Sequence, residues 1–265
     1  MTTTARRLLC LTAHPDDESG AFGGALLLAH QQNIETTLIC LTAGQNGHFR
    51  AGAENSDHLA ELRRQELAAA CQVLAITRHQ VLDYTDGQLA HENFHAIVGT
   101  LVAHIRRWQP QIVLTFGGDG GVNLHRDHIV ISLATTAAFH WAARPEFFPE
   151  QIGVAFQGRH IQTWRPQKLY YSSTPFVSVR NHPELNGSPT VPWSINLELG
   201  PLGERKFQAF RCHTTQQGVI QRVGPTIHEH FRRERYLLAA APGLTRITDD
   251  PGLFEGIHPE GESLA

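Results

Sequence analysis

LLCLTAHPDDE, residues 8–18, carries the chain from an unbroken apolar run straight into one histidine and three carboxylates. Six apolar or β-branched residues without alternation read as a strand covered on both faces, as in a parallel sheet. Packed negative charge at the end of a buried strand repels itself, so a cation has to offset it. A metal ion is the natural candidate, and in open α/β sheets ligands bind outside the carboxyl ends of the strands.

Working outward, further short apolar runs at 36–43, 79–84 and 111–116 repeat the strand pattern of 7–13. Helical patterns lie between them. Residues 19–31 read as a helix opening directly after HPDDE. Residues 57–75 place Leu59, Leu62, Leu67, Ala70 and Leu74 near 3.6-residue spacing, with Asp57 as the expected cap. Residues 91–108 set Phe94, Ile97, Val98, Leu101, Val102 and Ile105 on one stripe that stops before Pro110, and a fourth helix spans about 126–143. Alternating strand and helix predict an α/β, Rossmann-like three-layer fold with a mostly parallel sheet.

The expected organisation is one domain over 1–265, with a core of about 5–143. Residues 144–167 hold three prolines, Phe147-Phe148 and two turn glycines, and read as a variable excursion bordering the substrate. An elaborated C-terminal third, about 168–240, contains strand-like runs at 168–173 and 193–199 and a helix at 201–217. The Pro/Gly/acid-rich tail from 241 reads as loose.

Composition narrows the function. A net charge of -3 and the lack of any basic run give no footprint for nucleic acid. No window approaches the roughly 20 apolar residues of a membrane span. Cys10, Cys40, Cys71 and Cys212 include no C-x-x-C pair and mostly sit in apolar stretches, which suits a reducing, cytoplasmic compartment better than a disulfide framework.

Three polar clusters follow the expected strands: HPDDE (14–18), TAGQNG (42–47) and FGGDGGVNLHRDH (116–128). In the first, His14 and Asp17 are three residues apart, and Pro15 stiffens a turn that can aim both at one cation while Asp16 faces a metal-held water. In the last, His125 and His128 repeat the spacing, and one of them can complete a two-histidine, one-carboxylate set with an open position, the pattern of a catalytic zinc. Either cluster alone is weak evidence, because capping histidines are common. Two of them at strand ends outweigh that reading. The glycine run 117–121 lacks a P-loop lysine, and no G-x-G-x-x-G follows the first strand, so a nucleotide is not expected.

With these residues in view, the chain resembles the GlcNAc-phosphatidylinositol de-N-acetylase family, also called LmbE-like or PIG-L zinc deacetylases. The resemblance is carried in order by AHPDDE (13–18), LTAGQNG (41–47), RRQELAAACQVLAI (63–76), LDYTDGQL (82–89), PQIVLTFGGDGG…HRDH (110–128) and FRCHTTQ (210–216). It implies zinc-dependent hydrolysis of an N-acetyl group from an N-acetylglucosaminyl compound. By the same resemblance His14, Asp17 and His128 would bind Zn²⁺. Asp16 would be the general base, and His125, protonated, the general acid or oxyanion stabiliser, oriented by Asp127. Arg63 and Asp86 would hold sugar hydroxyls, His213 and Gln216 would line the site, and members often form trimers or hexamers. Arg126 stands where the family has proline and Gln45 where it has glutamate, and no tyrosine lies beside the histidine motif as in some thiol-sugar deacetylases. An amidase cleaving low-molecular-weight thiol conjugates and a non-catalytic metal-dependent sugar-binding protein are the alternatives. Binding alone needs neither Asp16 nor His125.

Overall fold

A computed structural model describes residues 5–172, 195–224, 227–241 and 250–258. Four parallel strands are β1 (Arg7–Thr12), β2 (Glu35–Thr42), β3 (Arg78–Tyr84) and β4 (Ile112–Phe116). A two-residue hairpin, β5 (Ala155–Phe156) and β6 (Arg159–His160), precedes β7 (Lys168–Ser172), β8 (Ile195–Glu198) and β9 (Arg233–Ala240). The main sheet runs β3-β2-β1-β4-β7-β9-β8, parallel as far as β7 and antiparallel at β7–β9 and β9–β8. The expected Rossmann-like, mostly parallel α/β architecture is what the chain adopts.

The helices are α1 (Asp17–Ala21), α2 (Gly23–Gln31), α3 (Ser56–Val73), α4 (Phe94–Trp108), α5 (Arg126–Trp141), α6 (Pro201–Arg211), α7 (Gln217–Val223) and α8 (Ile227–Phe231). Crossovers between parallel strands are right-handed. Steps from β1 to β2 and β3 therefore put α2 and α3 on one face, and the return steps through β4 to β7 put α4 and α5 on the other. The direction of travel reverses between β1 and β4, and the crevice at that switch point receives the HPDDE and HRDH segments. The main core of fully buried side chains, among them Leu9, Leu11, Leu38, Leu101, Val113 and Leu114, fills both interlayer spaces. No described helix is long and apolar enough to cross a membrane.

Several boundaries differ from expectation for local reasons. The helix expected at 19–31 is broken at Phe22, because the Glu234 carboxylate reaches in from β9 and accepts the Gly24 and Ala25 N–H groups at 2.6 and 2.9 Å. This side chain caps a new helix start where the sequence offers no Ser, Thr, Asp or Asn. The cap of α3 is Asn55, whose side chain accepts from the His58 N–H, rather than Asp57. The helix expected at 201–217 ends at Arg211, and no strand was expected at 233–240, where β9 inserts between β7 and β8. Residues 173, 193 and 194 of the expected strand runs lie outside the described residues.

The tail is not loose over 250–258. Asp250 Oδ1 sits 2.6 Å from Lys168 Nζ, Tyr170 Oη donates to Asp250 Oδ2 at 2.5 Å, and Leu253 and Phe254 are buried. The rest of the tail, 242–249 and 259–265, lies outside the described residues. Residues 144–167 are fastened to α4 and to the segment leading into β4. Arg106 of α4 donates to the carbonyls of Ala142, Arg144, Phe147 and Phe148, while Trp164 Nε1 donates to Pro110 O. These contacts run along α4 and to the residues leading into β4, whereas the histidine and carboxylate loops leave the opposite ends of the strands.

Candidate metal centre and active site

Asp17 is the first residue of α1 and His14 ends the turn from β1, so Pro15 and Asp16 form the bend between them. Asp17 Oδ2 accepts the Ala13 and His14 N–H groups at 3.1 and 2.8 Å. Its other oxygen, Oδ1, lies 3.2 Å from His128 Nε2. His128 stands in the first turn of α5, stacked on Phe116 at 3.9 Å, with Nδ1 held 3.0 Å from Gly120 O. Gly120 has φ +89, and a Cβ there would lie 2.9 Å from Leu124 backbone atoms, so the carbonyl can be presented this way only from glycine.

His14 Nδ1 lies 3.3 Å from His128 Nε2. Its Nε2 lies 3.0 Å from Asp86 Oδ1 and 3.3 Å from Asp127 Oδ2. Each of the three side chains therefore has one polar atom tied to the protein and one left facing the other two. The donor atoms of His14, Asp17 and His128 all lie within 4.8 Å of one another, and the three residues are at least nine-tenths buried. With His128 Nε2 3.3 Å from His14 Nδ1 and 3.2 Å from Asp17 Oδ1, two imidazole nitrogens and one carboxylate oxygen suit a single divalent cation at the ~2.0–2.2 Å bond lengths of zinc. The set expected from sequence thus converges and fits a metal. A second group, His14, Asp86 and His125, also falls within that spread.

Electrostatics agree with a cation site. Burial would pull the His14 imidazole down, but the Asp127 and Asp86 carboxylates outweigh it and raise its pKa to about 10. Burial would raise Asp17, but the neighbouring His128 overrides it and holds the carboxyl below the usual range. Where no metal sits, a proton on histidine partly offsets these charges.

Asp16 occupies the bend with φ 113, a region L-residues other than glycine rarely enter. Arg63 of α3, only 3% exposed, donates through Nη2 to Pro15 O and to Asp16 Oδ2 at 3.1 Å, and through Nη1 to Gly44 O at 3.1 Å. Gly44 has φ +66, and a Cβ would run into the Arg63 guanidinium, which explains the glycine of the TAGQNG loop. Burial pushes the Asp16 carboxyl up to about 6, against the pull of Arg63. Arg63 is thus spent inside the protein rather than extended toward a sugar. Asp86 is likewise engaged: besides His14, it accepts the Asn46 N–H at 3.1 Å, and its carbonyl receives Asn46 Nδ2 at 2.8 Å.

His125 is the N-cap of α5, and its ring meets the His14 ring edge-on with centroids 4.7 Å apart. Its Nδ1 accepts the Asp127 N–H at 3.2 Å, so the proton of the ring is on Nε2. Burial, with His14 and His128 nearby, lowers its pKa. Two expectations change here. The protonated imidazolium is replaced by a neutral Nε2–H donor, and the Asp127 carboxylate turns away from His125 to accept the Gly87 N–H at 2.7 Å and to face His14. The reason is helix geometry: at the second position of α5 the Asp127 backbone, not its side chain, points at the cap.

His213 and Gln216, expected to line the site, are buried. His213 Nε2 pairs with Glu18 Oε1 at 2.7 Å, and that carboxylate raises the imidazole pKa against the opposing effect of burial. Glu18, Glu66 and Asn46 stood inside the quoted motifs without an assigned role. The Arg-x-x-Glu spacing of Arg63 and Glu66, one helical turn apart on the face toward the site, was the signal available for Glu66.

Comparison with known proteins follows this geometry. A family profile described as "GlcNAc-PI de-N-acetylase" (PIG-L) matches residues 9–139, from β1 to α5. A 1D-myo-inositol 2-acetamido-2-deoxy-alpha-D-glucopyranoside deacetylase of Streptomyces avermitilis is 32% identical over 96% of this chain and 98% of that protein. A mycothiol S-conjugate amidase of Streptomyces coelicolor is 27% identical over 80% of this chain and 76% of its own length. Among solved structures, an N,N'-diacetylchitobiose deacetylase from Pyrococcus horikoshii superposes with a TM-score of 0.71 at 18% identity, over 88% of this chain and 84% of that one, a likeness of fold. With a relative aligned nearly end to end and the motif loops in their expected places, the chain belongs to the GlcNAc-PI de-N-acetylase family, the PIG-L or LmbE-like proteins.

Proposed function

We propose that the protein is a zinc-dependent N-deacetylase that frees the amine of an N-acetylglucosaminyl compound. The observation that carries this reading is a cation-ready triad, His14, Asp17 and His128, with the Arg63-held carboxylate of Asp16 in the adjoining residue and the His125 ring packed edge-on against His14. Zinc held by the triad would supply Lewis acidity, polarising the amide carbonyl and acidifying the attacking water. Asp16, its carboxylate held by Arg63, takes a proton from the attacking water and returns it to the leaving nitrogen as the C–N bond breaks. The His125 Nε2–H donates to the charge that develops on the carbonyl oxygen and orients the leaving nitrogen. Asp127 and Asp86 hold His14 in the tautomer that turns Nδ1 toward the metal. The substrate class comes from the deacetylase relative, and the four free thiols suit a reducing compartment.

The test is amine and acetate release by zinc-loaded protein from 1D-myo-inositol 2-acetamido-2-deoxy-α-D-glucopyranoside and simpler N-acetylglucosaminides, beside Asp16→Asn. Release that disappears in the variant supports the reading. Release from a thiol S-conjugate and from no acetamido sugar moves the assignment to the amidase activity named for the Streptomyces coelicolor relative. Metal-dependent sugar binding without any release, in both proteins, would leave a binding protein.

A further inference from the structure

Asp16 is held in its left-handed conformation by more than Arg63. Its N–H donates to Glu18 Oε2 at 3.0 Å, and its carbonyl accepts the Gly20 N–H at 2.8 Å and the Ser19 hydroxyl at 3.0 Å. Glu18 has no exposed surface, and its second oxygen is taken by His213 Nε2 at 2.7 Å. His213 opens a turn whose next residues are fastened in turn to α3. Glu66 Oε1 accepts the Thr214 hydroxyl at 2.5 Å and the Thr215 N–H at 2.8 Å, and Glu66 Oε2 accepts the Thr215 hydroxyl at 2.6 Å. Glu66 lies one helical turn from Arg63, so both arms around Asp16 start from the same helix.

We propose that Glu66, the Thr214-Thr215 turn, His213 and Glu18 form a positioning chain from α3 that pins the peptide of Asp16, while Arg63 pins its carboxylate. This rests on the reading of Asp16 as the base and extends it to residues that touch neither substrate nor metal. A strained residue persists only where its surroundings over-determine it. Asp16 has all of its backbone polar groups and one carboxylate oxygen spoken for. If the Glu18 arm is cut, the N–H at 16 loses its acceptor, residue 16 relaxes toward negative φ, and its carboxylate swings out of line. A displacement of about 1 Å at such a group costs on the order of 10²-fold in turnover. The chain also explains why HTTQ, some 195 residues from HPDDE in sequence, belongs to the same functional unit.

The experiment compares zinc-loaded wild type with Glu18→Ala, Glu18→Gln and Asp16→Asn, reading kcat and KM on the acetamido-sugar substrate, bound zinc, and the crystal structure of each. Glutamine keeps an acceptor for the Asp16 N–H and a polar group toward His213. The expected result is a kcat lowered roughly 10²-fold in Glu18→Ala with KM and zinc content unchanged, rescue to within several-fold in Glu18→Gln, and a residue 16 that has left positive φ only in the alanine variant. Glu18→Ala with wild-type kcat and φ at residue 16 unchanged overturns the proposal, as does equal loss in alanine and glutamine variants. An Asp16→Asn variant as active as wild type instead removes the base reading, and the φ at residue 16 in Glu18→Ala still decides whether the chain pins the peptide. Should Glu18→Ala fail to fold, His213→Leu cuts the chain one link farther back, between His213 and Glu18, and is read by the same quantities.

Discussion

Asp127 Oδ2 lies 3.3 Å from His14 Nε2, although Asp127 is two residues from His125 and 113 from His14. The carboxylate of the HRDH motif thus braces the imidazole of the HPDDE motif across the crevice between β1 and β4. It is wholly buried and also accepts the Gly87 N–H, so its orientation is rigid. Such a brace sets the tautomer and basicity of a metal-binding histidine. Asp127→Ala is therefore expected to weaken zinc binding by roughly 10–100-fold. Competition against a chromogenic chelator measures this; unchanged affinity, with activity lost, would return Asp127 to the role of orienting His125.

The His125 ring is held by a backbone N–H at Nδ1, which leaves Nε2–H as its working donor. His125→Ala should lower kcat by about 10²–10³-fold, the usual loss when one donor to a developing oxyanion is removed. Zinc stoichiometry, read by elemental analysis, should stay at wild-type level because His125 stands outside the His14, Asp17, His128 triad. Loss of metal together with activity would assign His125 to the metal instead.

Arg63 separates two readings by its kinetics. A fork that spans Pro15 O, Asp16 Oδ2 and Gly44 O cannot be reproduced by lysine. Arg63→Lys should lower kcat on the order of 10²-fold while KM changes by less than about threefold. A raised KM with kcat intact is the signature of a lost substrate contact and would restore the role the family resemblance implies.

Asp16 carries a pH-dependent cost to the metal-free fold. Its folded pKa of about 6 lies above the ordinary value of 3.8, so the ionised form is disfavoured in the native state. The destabilisation grows as pH rises from about 4 to about 6, stays constant above that, and is absent below. Two pKa units correspond to at most about 3 kcal/mol. Asp16→Asn, stripped of metal by chelation, should melt roughly 5–10 °C higher than wild type at pH 8 and level with it at pH 4. Equal melting temperatures across that range would mean that the carboxylate is fully solvated.

What the sequence by itself determined was the local chemistry and the order of elements. Apolar runs without alternation marked the parallel strands of the core, and ligand binding at the carboxyl ends of such strands pointed to HPDDE and HRDH as neighbours. His14 and Asp17 stood out because short spacings at strand ends are local, while the spacing left His125 and His128 as alternatives and only the family resemblance singled out His128. What only the tertiary structure decided was which atom each side chain turns toward a distant partner. Asp127 bracing His14, Arg63 turned inward onto Asp16, and Glu18 tied to His213 are contacts between segments 47 to 195 residues apart. Residue spacing carries no record of them. The same holds for the break at Phe22, where local propensity favours one continuous helix and a carboxylate from residue 234 imposes two. Periodicity reports the face a residue occupies; the partner on that face is set by packing of the whole chain.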